Sequence, residues 1–219
     1  MPMSLTQDII YVDGPKTQTV FDAAYRAEIL AVCVATDSAI SALNAAWESV
    51  SELSEVKRLH EGQCLALFAK ILNDIVAAID VFRLGHYAAT HALMRGVIEG
   101  VCTAVVIRLD PNLHKDYVAG TYSVNKSVAG VRRRLKCPEL HKLEKIYKWY
   151  HKYAHPSAQA VADNILGYTM SKPVGGIFVP EKAEYYHKHL SNLKDVAVAI
   201  QNLLQNAYPK LKLKCSKSK

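Results

Sequence analysis

The stretch HYAATHALMRGVIEGVCTAVVIRL, residues 86–109, decides the reading of the fold. Leu93, Met94, Val97, Ile98, Val101, Val105 and Val106 spread around its circumference and leave no continuous polar stripe. A surface helix keeps one polar face, so a helix that is apolar nearly all round belongs at the centre of a bundle. Its two ends carry stop and start signals. Gly85 suits the C-terminal cap of a preceding helix. Asp110-Pro111 reads as the N-cap and first residue of the next.

Working outward, Thr19 to about Trp47 is rich in Ala and aliphatics, without Gly or Pro, and Thr19 is placed to N-cap a first helix. A second spans about Ser51 to Leu84, where Leu65, Phe68, Ile71, Leu72, Ile75 and Ile79 step by three and four. The fourth helix, opened by Pro111, is expected to reach about Leu135. A fifth runs from about Glu139 to Ala154 and ends at His155-Pro156, because the residue before proline disfavours helical dihedrals. The last opens at Pro180-Glu181 and stops at Tyr208 before Pro209. Residues 1–18 read as irregular, with Asp13-Gly14-Pro15 as a turn. Residues 165–179 read as a small β-hairpin or irregular insertion, and Lys210–Lys219 as a disordered basic tail. The expectation is an all-α protein, one bundle of about six helices over residues 19–208.

Composition narrows the function classes. Half of the 219 residues are hydrophobic and 21% are charged, which fits a folded domain and not a disordered chain. No stretch reaches about 18 uncharged apolar residues, and the N-terminus lacks a basic segment followed by an apolar one. A cytoplasmic protein without a membrane partner is expected. The five cysteines are scattered without a Cys-x-x-Cys pair, which excludes a zinc ribbon. His151-x-x-x-His155 has the spacing of a zinc pair, but Lys152 stands where a metalloprotease needs Glu and no third ligand is evident, so no metal is expected. His187 and His189 point to different sides of the last helix and read as surface residues. Phosphate loops, dinucleotide fingerprints and nucleophile elbows are missing, and no cofactor is expected. The net charge of +7 is uneven: residues 126–152 carry +7 and the last ten +5, leaving a mildly acidic remainder. Basic zones of this kind attract phosphate or simply stay solvated.

Polar groups where a core should be supply the site candidates. Arg95 and Glu99 lie four residues apart on one helix face, with His91 one turn before. Burying such charges is costly unless they pair or line a cavity. Two readings stand: a buried pair tying helices together, or a polar pocket inside the bundle. In the fifth helix, Leu140, Leu143, Tyr147, Tyr150 and Ala154 form an apolar stripe that Ile146, Trp149 and Tyr153 extend. Opposite runs a basic stripe of His141, Lys145, Lys148, Lys152 and His155, with His151 at the edge.

Arg95-Gly-Val-Ile-Glu99 in an apolar helix, followed by Tyr150-His-Lys-Tyr-Ala-His155-Pro-Ser157, resembles all-helical bacterial proteins related to the HEPN superfamily. The resemblance implies a helical bundle, often dimeric. It also implies a metal-independent ribonuclease of toxin–antitoxin or phage-defence systems, with RNA or a nucleotide as the bound ligand and an antitoxin or defence protein as partner. His155 corresponds to the histidine of the family's Arg-x(4–6)-His signature. The arginine has no counterpart; Lys148, with six residues between it and His155, is the nearest basic group, and Arg95 is a candidate to replace it in space. On this reading His155 and His151 exchange protons and Arg95 or Lys148 stabilises phosphorane charge. Glu99 orients Arg95, Lys148 and Lys152 bind the backbone phosphates, and Tyr150 or Tyr153 stacks on a base. The alternative is a non-catalytic helical module for protein interaction or oligomerisation, since apolar faces on every long helix seek partners.

Overall fold

The computed structural model describes residues 4–123, 137–154 and 176–207. Within them the chain is all-α. A helical turn (Leu5–Asp8) and a π-helical turn (Ile9–Asp13) lead into α1 (Gly14–Val50). Then come α2 (Glu55–Arg83), α3 (Tyr87–Leu109), α4 (Pro111–Val118), α5 (Pro138–Ala154) and α6 (Ala183–Asn202), with a π-helical turn at Leu203–Ala207. The central helix α3 packs against α2 on one side and α5 on the other, while α1 packs against α2 and α6. Met94, Val97, Ile98, Val101, Ala104 and Ile107 of α3 are wholly buried, as its all-round apolar sequence requires.

Two glycine stops shape the corners. Gly85 adopts φ +79°, and the His86 N–H bonds back to the Val81 carbonyl at 3.1 Å, closing α2 in a Schellman turn. Gly120 (φ +72°) does the same after α4, with Thr121 N–H on the Asp116 carbonyl at 2.9 Å. The fourth helix therefore ends at Val118 and not near Leu135; residues 124–136 lie outside the described residues. Asp110 caps α4 as its sequence indicates, accepting from the N–H groups of Asn112 and Leu113.

The N-terminal segment corrects the expectation of an irregular 1–18. The chain is helical from Leu5, and Gly14 has helical φ and ψ. Pro15 falls in the first turn of α1, where a missing N–H costs nothing. Thr17 is anchored by its hydroxyl to the Gly176 carbonyl at 3.1 Å. The α1 axis is kinked at Tyr25 (φ −126°, ψ 23°), whose ring packs edge-on to Tyr186 and His187. Residues 176–179 are neither helix nor strand; the rest of the expected hairpin, and the basic tail, lie outside the described residues. An 18-residue window of the continuous helical stretch Thr6–Val50 has mean hydropathy 1.6 and is one-third buried. By length and composition this stretch is able to cross a membrane, a property it shares with core helices of soluble bundles.

Candidate functional site

The α3–α5 interface holds the polar residues that the sequence singles out. Arg95 Nε donates to Glu99 Oε1 at 2.9 Å, one helical turn away. The same oxygen accepts from the Tyr147 hydroxyl on α5 at 2.8 Å. The Tyr147 ring stacks on His151, centroids 5.6 Å apart and planes 29° off parallel. One carboxylate thus ties a guanidinium, a phenol and an exposed imidazole into one row across two helices. The pair is half-buried, with 26% of the Arg95 side chain and 18% of Glu99 exposed. It is neither sealed in the core nor loose on the surface.

The hydrogen bond it donates to Glu99 holds the Arg95 guanidinium above its ordinary pKa, against partial burial. Burial, then the Glu99 carboxylate, raises the Tyr147 phenol. Burial, with Glu99 and Glu144 nearby, pushes the Cys102 thiol up to about 12, so this cysteine is no nucleophile at neutral pH.

Helix α5 is amphipathic as its sequence indicates. Leu140, Leu143 and Ile146 face the core, while His141, Lys145, Lys148, His151 and Lys152 are exposed. Lys148 pairs with Glu144 at 3.1 Å on this outer face. Tyr150 is removed from the candidates for base stacking: it is wholly buried on the core stripe. His91 turns inward from the Arg95 face, 4% exposed, and its Nε2 is hydrogen-bonded with the Tyr185 hydroxyl. The Tyr153 side chain and His155 lie outside the described residues.

Two residues differ in the structure from their reading in the sequence. Tyr147, which reads only as a core residue, is the bridge to Glu99; an aromatic hydroxyl four residues before His151 marks that edge of the helix. His189, which reads as a surface residue, is wholly buried against Phe82 (4.5 Å, stacked) and Tyr150 (5.4 Å, edge-on). His187 is exposed and pairs with Glu28 at 3.1 Å. Among the described residues no three His, Cys, Asp or Glu side chains converge for a metal ion.

A second polar cluster sits where α3 ends. The Ile107 carbonyl has no N–H four residues on, because residue 111 is proline. His60 Nε2–H serves it instead at 3.1 Å. A carbonyl only accepts, so this bond places a proton on Nε2 of His60. Beside it Arg108 Nε donates to Glu61 Oε2 at 3.0 Å, and the His114 ring packs 4.1 Å from His60 while its Nε2 meets Gln63 Oε1 at 2.7 Å.

Compared with protein-family models, curated proteins and solved structures, the chain matches none.

Proposed function

We propose that this chain is a HEPN-like helical module that binds RNA, or another phosphate-bearing ligand, along the outer face of α5 and its seam with α3. The observation that carries the reading is the shared Glu99 oxygen, which orients Arg95 beside an exposed imidazole and a line of exposed lysines. A guanidinium held by a carboxylate is pre-oriented for phosphate oxygens, and lysines stepping along one helix face follow a polyanionic strand.

In its catalytic form the reading assigns metal-independent RNA cleavage. One histidine of the pair His151 and His155 takes the 2′-hydroxyl proton as that oxygen attacks the adjacent phosphorus. The P–O5′ bond breaks, the other histidine protonates O5′, and a 2′,3′-cyclic phosphate and a 5′-hydroxyl result. Arg95 stabilises the negative charge that develops on the non-bridging phosphate oxygens.

Fluorescence anisotropy with a labelled single-stranded RNA tests the binding. Affinity is expected to fall steeply with salt, and Lys145→Ala/Lys148→Ala/Lys152→Ala to lower the slope of log K against log salt by about 2, at ~0.7 for each phosphate no longer neutralised. A flat salt response, or an unchanged slope in the triple variant, overturns the reading. Incubation of RNA with EDTA tests the catalytic form, which requires cleavage that His155→Ala abolishes.

A second reading, self-association, draws on α1, whose outer side leaves Leu30 55% and Val34 64% exposed with little charge between them. Sedimentation across a concentration series separates the two: a monomer throughout removes the second.

A further inference from the structure

At the opposite end of α3 from Arg95 the bundle is open. The C-terminal end of α1, the start of α2, the α3–α4 corner and the turn after α6 enclose a cleft of about 810 Å³. Arg108 at its rim lies thirteen positions beyond Arg95 on α3, about 20 Å at 1.5 Å per residue, so this is a different place from the α3–α5 seam.

The cleft has two chemical halves. One wall is built from Ala42, Ala45 and Ala46, with Leu53 and Leu204 closing it. Here a run of small side chains leaves an apolar hollow open to the surface, with Ala45 exposed at its edge. Its size falls within the ~300–1,000 Å³ of small-molecule sites. The other half carries Lys57, His60 and the Glu61–Arg108 pair. Glu61 neutralises and positions Arg108, while Lys57 makes no ion pair among the described residues, so the polar end has a net positive charge. His60 lines this end too, held in place by its Nε2–H on the Ile107 carbonyl.

We infer that this cleft is a binding site for a small organic anion with an apolar body. The body lies on the alanine wall, and the anionic head meets Lys57 beside Arg108. Nothing in this inference depends on the RNA reading.

The test is a titration of the full chain with two dyes that differ in one group. Anilinonaphthalene sulfonate carries an anionic head; N-phenyl-1-naphthylamine is the same body without it. Expected are saturable binding of the sulfonate and at least fivefold weaker binding of the uncharged dye. Lys57→Gln should bring the sulfonate down to the level of the uncharged dye and leave the latter unchanged. Ala45→Trp, at an exposed position on the rim, should abolish binding of both while the circular dichroism spectrum is retained. Lys145→Ala/Lys148→Ala/Lys152→Ala should leave dye binding untouched, which keeps this site apart from the RNA face. Absence of saturable binding, equal affinity for the two dyes, or binding unaffected by both Lys57→Gln and Ala45→Trp overturns the inference.

Discussion

Replacing His189 by Phe should make the protein more stable, and most of all in mild acid. The ring is wholly buried, and neither Nδ1 nor Nε2 has a hydrogen-bond partner among the described residues. A buried polar group left unpaired costs about 1–3 kcal/mol. A phenyl ring keeps the stacking on Phe82 and the edge-on packing with Tyr150 and removes both orphan nitrogens; its slightly larger outline takes back part of the gain. The net expectation at pH 7 is a stabilisation of about 1–2 kcal/mol. In a chain of this size that raises Tm by roughly 2–8 °C. The pH dependence follows from burial, which holds His189 well below its ordinary pKa, with His91 adding to the effect, and lowers His91 to about 4. In the unfolded chain both protonate near 6.5. Between pH 6.5 and about 4 the unfolded state therefore binds more protons than the folded one, and stability falls as pH falls through that window. For His91 alone the full loss is about 3 kcal/mol, at ~1.4 kcal/mol per pKa unit; His189 contributes a further loss of the same sign. Urea unfolding followed by circular dichroism at pH 7, 6 and 5 measures both effects. The variant should gain at pH 7 and lose less than wild type on acidification, since all other histidines are common to the two proteins. A destabilised variant at pH 7, or equal acid sensitivity of the two, refutes the argument that the imidazole is buried without compensation.

Gly176→Ala should destabilise by about 3 kcal/mol, because its Cβ would stand 1.6 Å from the Leu84 carbonyl oxygen and one of the two segments must move; a change under 0.5 kcal/mol in urea unfolding rules out this close approach. Tyr147→Phe should cost about 1 kcal/mol and couple to Arg95→Met in a double-mutant cycle, since both groups share Glu99 Oε1; strict additivity contradicts the shared oxygen. Asp110→Ala should lose about 1 kcal/mol by thermal unfolding and Asp110→Asn much less, because the side chain caps two N–H groups of α4.

The residues that could be read in the sequence are those whose partners are close in sequence. Gly85 and Asp110-Pro111 end and start helices through bonds that span only a few residues, so their letters carry the geometry. Arg95 and Glu99 meet for the same reason: four residues on a helix bring two side chains together whatever packs outside. Gly14-Pro15 shows the limit of such signals. The same pair serves a turn or the first turn of a helix, and here it opens α1 directly from the preceding helical turn, against Leu84 of the α2–α3 corner, which lies 3.3 Å from where a Gly14 Cβ would stand. Tyr147 reaches Glu99 across 48 positions of sequence, and only the pairing of α5 with α3 brings them together. His189 was legible in principle. Its polar neighbours His187 and Lys188 suggest a surface, yet Tyr186, Leu190, Leu193 and Ile200 repeat at helical spacing, and position 189 falls on the same buried side. The cleft lies beyond sequence reading altogether. Ala42, Ala45 and Ala46 are ordinary helix formers in one dimension, and become a wall only when Lys57, Arg108 and Leu204, from three other parts of the chain, are set around them. A helix records its own turns in its sequence; the hollow between helices depends on which side chains are too small to meet.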